Sequence, residues 1–216
     1  MKKLILASAS PRRASLLRLL DIPFEIAPSN ANEDLDTILP PAEYVREIAQ
    51  RKTRAVAHRF DHALVLGADT VVVFEDAIFG KPNDAKHAEE MLARLSGKTH
   101  QVYTGLALTD TETGQTLTDV ATTHVTMRVL SSEDIARYVA TGDSMDKAGA
   151  YGAQGRASAF IQSISGCFYN VVGLPLACFW SLYHRLVGQS LWAIIPEIDL
   201  TTGNTDIYVR SKTRNR

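Results

Sequence analysis

The sequence predicts an α/β fold built on a mixed sheet with flanking helices. Helix-period and strand-period segments interleave along the chain, which favours parallel pairing. At least one long segment pair reads as a hairpin, which demands antiparallel pairing. The composition of the 216 residues, 45% hydrophobic and 22% charged, is that of a soluble globular domain. It excludes collagen-like, coiled-coil and intrinsically disordered chains.

Each element has a local reason. Residues 3–7 (KLILA) read as a short strand. Ser10 suits an N-cap and Pro11 a first helical position, so a helix is expected over 12–20, with Leu16, Leu17, Leu19 and Leu20 inward. A second strand is expected over 24–27, then an acidic loop with Glu33, Asp34 and Asp36. Pro40 and Pro41 open a long helix reaching about Phe60. Strands over 63–68 and 70–74 flank a Gly-Ala-Asp break, and Glu75-Asp76 reads as a turn. Residues 84–95 form an amphipathic helix. Residues 100–109 and 116–129 alternate as a hairpin across Thr113-Gly114. A short helix over 131–141 starts with the capping pattern Ser131-x-x-Asp134. The stretch 142–156 holds four of the 13 glycines and reads as a functional loop. Strands over 157–164 and 168–172 and a helix over 174–187 complete the body.

Charge and targeting narrow the function. The formal charge is −1, yet residues 1–18 carry five cations and no acid, and residues 207–216 carry four and none, so the middle carries −10. An acidic body argues against nucleic acid as a partner. The opening MKKLILASASPRR is too short an apolar stretch for a signal peptide, and no run approaches a membrane span, so a cytoplasmic protein without membrane contact is expected. Cys167 and Cys178 form no CxxC pair and read as reduced structural thiols. The six histidines share no metal or triad spacing, and no P-loop is present.

Four segments carry candidate chemistry. Arg12 and Arg13 stand in the first turn of a helix, where cations oppose the helix dipole. A bound phosphate would resolve that conflict; the bland alternative is a solvated basic helix start. Lys52 lies on the inward stripe with Val45, Ile48 and Ala55, so it either snorkels out or enters a polar pocket. Asp69 interrupts an apolar strand region and must hold a metal, pair with a cation, stand at the mouth of a site, or cap a turn. Lys81, in GKP, falls near the same sheet end. In the loop 146–155, Gln154 offers donors and an acceptor suited to a pyrimidine edge, unless the loop is merely flexible surface. Cations, free amides, carboxylates and one amide reader together suit a nucleoside triphosphate with a divalent metal.

The segments LASASPRR (6–13), GADT (67–70), GKP (80–82), LSGKTHQVYTG (95–105), DKAGAYGAQG (146–155) and NVVGLPL (170–176) resemble the Maf family, also called septum formation proteins. The resemblance runs over roughly residues 3–185. It implies an elongated sheet like that of the inosine triphosphate pyrophosphatases, in two lobes around a cleft. It also implies a nucleoside triphosphate pyrophosphatase that releases a monophosphate and pyrophosphate. Arg12, Thr70 and Gln154 match the dTTP/UTP pyrophosphatase type rather than the 7-methyl-GTP type, which carries Trp, Gln and Glu there. By the same resemblance Asp69 is the catalytic carboxylate, as general base or metal ligand. Ser8, Arg12, Arg13, Lys52 and Lys81 hold the phosphates. Glu33 joins Asp69 around Mg²⁺ or Mn²⁺, and a homodimer is the family-level expectation.

Two departures stand out. Arg51 occupies a place where relatives usually have an acid, and is expected to point outward. The family domain is expected to end near residue 188, with 189–216 an extension whose Trp192, Ile194 and Ile195 pack on the body or a partner and whose basic end is disordered. Two other functions compete: a regulatory module in cell division resting on the basic ends, and a pyrophosphatase for another or modified triphosphate.

Overall fold

The computed structural model describes residues 2–35 and 37–194. A seven-stranded mixed sheet organises them, in the order β2-β1-β3-β5-β6-β7 with β4 on the far end of β3. Strand β1 (Lys3–Leu6) pairs in parallel with β2 (Phe24–Ile26) and β3 (Ala63–Phe74). The crossovers that parallel pairing requires are α1 (Pro11–Arg18) and α2 (Pro41–Ala57). The remaining strands, β4 (Ala77–Phe79), β5 (Thr99–Asp110), β6 (Thr116–Met127) and β7 (Ile161–Ser165), pair antiparallel.

The β3 edge explains where the site forms. Strand β1 covers that edge up to Leu66, and β4 takes it up again at Val72. Residues 67–71 are left uncovered on that side, so side chains from both faces of β3 become reachable from one gap. The expected break at Gly-Ala-Asp does not occur, because β3 is one continuous strand of 12 residues. Gly67 serves the neighbouring helix instead: a Cβ there would lie 2.5 Å from the carbonyl oxygen of Ala49. Gly105, on β5, would meet the Val45 carbonyl at 2.3 Å. These two glycines let α2 lie against the sheet at backbone distance, which carries Lys52 to Asp69.

The opposite face bears two apolar groups. Leu64, Leu66, Ala68, Leu106 and Leu108 pack under α1, α5 (Phe168–Val172) and α6 (Leu176–Val187). Val72, Val102, Val125 and Met127 pack under α3 (Ala85–Leu95) and α4 (Ser132–Val139). A polar band of Thr70, Thr104, Thr123 and Asn170 separates the two groups, and the last three are fully buried. This band divides the core on that face of the sheet into two parts.

Most element expectations hold. Asp84 caps α3 through the His87 amide at 2.7 Å, and Ser131 caps α4 through the Asp134 amide at 3.1 Å. Others are corrected. Ser10 occupies the α1 N-cap without a side-chain cap bond, and its amide donates to Ser8 Oγ at 3.2 Å. Helix α1 stops at Arg18, which leaves Leu19 53% exposed rather than inward. Residues 156–160 form a 3-10 turn ahead of β7, not the start of a strand. Residues 168–172 form α5, not a strand. Five apolar residues carry too little periodicity to tell the two apart, and left-handed Gly173 at φ 114° closes the turn.

Residues 191–194 form a short 3-10 turn. Leu191 joins the core, and Trp192 lies 5.1 Å from Trp180, ring to ring, so the start of the extension packs on the body. Ile195 and the basic segment 207–216 lie outside the described residues. No helix among the described residues is long and apolar enough to cross a membrane.

Candidate active site

A cavity of about 550 Å³ opens at the uncovered β3 edge, and every site residue nominated from the sequence lines it. Strand β1 delivers the chain to Ser8, which is 7% exposed, and Pro11 then starts α1 pointing its N-terminus into the gap. Unpaired backbone amides and a partial positive charge gather at such an end.

Arg12 and Arg13 leave this turn in different directions. Arg13 runs inward onto neutral acceptors: Nε donates to the Gly173 carbonyl at 2.9 Å, Nη1 to Ser8 Oγ at 3.2 Å and Nη2 to Thr70 Oγ1 at 3.1 Å. No carboxylate among the described residues bridges it. Burial pulls its guanidinium below the ordinary value, with Asp69 and Glu33 opposing from a distance. Ser8 Oγ already accepts from Arg13 and from the Ser10 amide, so its own proton is free to donate into the cavity. Arg12 instead meets Asp146, with Nη1 2.6 Å from Oδ2 and Nη2 3.2 Å from the Asp146 carbonyl.

On the α2 side, Lys52 does not snorkel. It is 8% exposed, and its ammonium lies 2.8 Å from Asp69 Oδ1 and 3.0 Å from Glu33 Oε1. Asp69 is therefore an ion-paired strand carboxylate rather than a turn cap, while Glu33 is half exposed. Arg51 points to the outer side of α2 but is not idle. Nη1 donates to the Asp34 carbonyl at 2.9 Å and approaches the Asn32 carbonyl at 3.5 Å, on either side of Glu33. The Tyr44 hydroxyl approaches the Glu33 carbonyl at 3.4 Å. Burial first, then Asp69 and Glu33, raise the Tyr44 phenol above its ordinary value.

Lys81 and Gln154 are exposed at the opposite wall, and neither makes a side-chain bond to any described residue. The loop carrying Gln154 is held by Gly149, whose amide donates to the Gly80 carbonyl at 3.0 Å, and by Asp146. Asp146 takes Arg12 on one oxygen and Lys147 on the other. Burial alone would raise this carboxyl, but the bonds from Lys147 and Arg12 outweigh it and hold it down at about 2.

Asp146, Lys147, Thr104 and Asn170 were not singled out from the sequence, although the motifs contain them. The adjacent opposite charges of Asp146-Lys147 were the available signal. Three of the five cations in the basic N-terminal segment prove to be charge-paired: Lys2 with Asp110 and Glu112, Lys3 with Glu25, Arg12 with Asp146.

Among the described residues no group of three or more His, Cys, Asp or Glu gathers to hold a metal. The donors present are two carboxylates, Glu33 and Asp69, sharing one ammonium. Such a set fits Mg²⁺ or Mn²⁺, which bind through one or two carboxylates and complete their shell with phosphate oxygens and water.

Residues 3–186 match the family described as Maf-like protein. The chain belongs to this family. Several relatives are about half identical to it. A dTTP/UTP pyrophosphatase of Moorella thermoacetica is 52% identical over 192 residues, 89% of this chain and 98% of that protein. One of Bacillus cytotoxicus is 49% identical over 177 residues, 82% of this chain and 92% of the other. One of Symbiobacterium thermophilum is 53% identical over 176 residues, 82% and 90%. Among solved structures, the Ham1 protein of Staphylococcus aureus overlaps 58% of this chain and 72% of its own at TM-score 0.43 and 14% identity, too loosely to bear on fold or function.

Proposed function

We propose that the cleft binds a pyrimidine nucleoside triphosphate, dTTP or UTP, and hydrolyses it to the monophosphate and pyrophosphate. One observation carries this most: Arg13 is held at a helix N-terminus on neutral acceptors only, beside the free proton of Ser8. A partly buried cation without a counter-ion is costly, and a polyphosphate in the cavity supplies the missing charge. The names of the half-identical relatives supply the substrate class.

In this reading Asp69 is the general base. Lys52 occupies Oδ1, which leaves Oδ2 to take a proton from water. The water oxygen forms a bond to phosphorus, the phosphoanhydride bond breaks, and pyrophosphate leaves with its charge met by Arg13 and Lys81. Mg²⁺ or Mn²⁺ held by Glu33 and Asp69 would neutralise phosphate oxygens. Gln154, unbonded at the far wall, offers N–H to O4 and a carbonyl to N3–H of uracil or thymine. The same amide flipped suits cytosine, so base choice is decided by measurement. The proposed place of action is the cytoplasmic nucleotide pool.

A panel of dTTP, UTP, CTP, GTP, ATP and 7-methyl-GTP, with Mg²⁺ and with Mn²⁺ and with pyrophosphate detection, tests this. Turnover of UTP and dTTP is expected to exceed that of the purines. Release of orthophosphate alone, or turnover of purines only, contradicts it.

A further inference from the structure

The polar band beneath the cleft has a direction. The Asn170 carbonyl can only accept, so Thr104 Oγ1, 3.2 Å away, donates to it. Thr104 has one proton, and it is thereby used. In the contact of 2.9 Å between Thr104 and Thr70, the donor is then Thr70. The Thr70 proton is used in turn, and its lone pairs face Arg13 Nη2 at 3.1 Å. The chain runs one way: Arg13 to Thr70 to Thr104 to the Asn170 carbonyl. The Asn170 side chain fixes the far end, donating to the Val102 carbonyl at 3.0 Å and to Thr123 Oγ1 at 2.9 Å. Asn170, Thr104 and Thr123 are all fully buried, so water does not compete for these bonds. Three residues past Asn170, Gly173 gives Arg13 its one carbonyl acceptor.

We infer that Thr70 is a positioning residue that aims Arg13, rather than a hydrogen-bond donor to substrate, and that Thr104 and Asn170 set it from behind. The hydroxyl of Thr70 lines the cavity yet has no proton to offer there. Each hydroxyl in the chain is polarised by giving its proton to the next acceptor, which strengthens its grip on a cation. The inference rests on the nucleotide reading of the cleft.

Thr104→Val removes the hydroxyl at constant volume at a position that does not line the cavity. The Thr70 proton then loses its acceptor, and the lone pairs that face Arg13 are no longer fixed or polarised from behind. Calorimetric binding of inorganic tripolyphosphate to the full chain is expected to weaken about 3- to 10-fold, the net loss typical of one neutral hydrogen bond. The KM for UTP should rise alongside it while kcat changes little, and the preference for UTP over CTP should stay as it was. Thr104→Ser, which keeps the hydroxyl, should restore both. Should Thr104→Val fail to fold, Thr70→Val against Thr70→Ser gives the same contrast. Overturning results are a folded Thr104→Val that binds tripolyphosphate like the wild type, or a Ser variant as weak as the Val variant. A wild-type protein that neither binds tripolyphosphate nor hydrolyses any triphosphate overturns the nucleotide reading itself, and this inference with it.

Discussion

Arg12 and Arg13 are neighbours in one helical turn, yet they live in opposite surroundings. Arg12 is met by a full carboxylate at 2.6 Å, on the loop that carries Gln154. Arg13 is met only by a carbonyl and two hydroxyls. An arginine already neutralised gains little from a phosphate, whereas one without a counter-ion gains much. Under the proposed function, identical residue types at adjacent positions would divide the work, with Arg13 as the polyphosphate clamp and Arg12 tying the loop that carries Gln154 to the start of α1. The sequence expectation is that both arginines hold the phosphates; in the proposed function that role falls chiefly to Arg13.

The largest expected effect tests the proposed chemistry beside the two arginines. Asp69→Asn should cut kcat for UTP by about 100-fold or more, the range of a lost general base, with an unchanged circular-dichroism spectrum. Wild-type turnover in that variant removes Asp69 from its role and leaves the clamp without a reaction to assist.

A smaller effect probes the Arg12 side. Arg12→Gln and Asp146→Asn should each raise the KM for UTP by roughly three- to tenfold, and the double variant should be no worse than either single one, because the two act as a pair. Melting temperatures should hardly move, since the bridge is solvent-exposed on the Asp146 side and such pairs stabilise little. Additive losses in the double variant separate the two residues and break the comparison.

The smallest effect is a titration. The Asp146 carboxyl, held at about 2, favours the folded state above its unfolded value near 3.8, and that contribution is lost as pH falls through about 2. Carboxyl-carbon NMR should place its midpoint near 2 and show it rising toward the ordinary range in Arg12→Gln. A midpoint that rises equally in Arg13→Gln contradicts separate surroundings for the two arginines.

What the sequence made legible were places where a residue opposed its local physics. Cations at the start of α1, a lysine on the inward stripe of α2 and an aspartate in an apolar strand each marked, without any knowledge of the fold, a residue that lines the same cavity. What stayed hidden were choices of distant partner. Nothing local to Asp146 says that it meets Arg12, 134 positions away, and nothing local to Arg51 says that it grips the carbonyls flanking Glu33. Gly67 misled because glycine breaks strands more visibly than it admits a helix, and the close approach of α2 exists only in three dimensions. The run 168–172 misled because its helical state is fixed by Asn170 reaching two strands rather than by its own period. The mixed sheet was accessible because interleaved periods and a hairpin are local signals.

The division between the two arginines can be read most directly from calorimetry of tripolyphosphate binding to wild type, Arg13→Gln and Arg12→Gln at one ionic strength. Loss of the clamp should weaken Arg13→Gln by about 100-fold, as expected for more than one charge-assisted bond, against about tenfold or less for Arg12→Gln. Equal losses in the two variants, or the larger loss in Arg12→Gln, would contradict the assignment of Arg13 as the polyphosphate clamp.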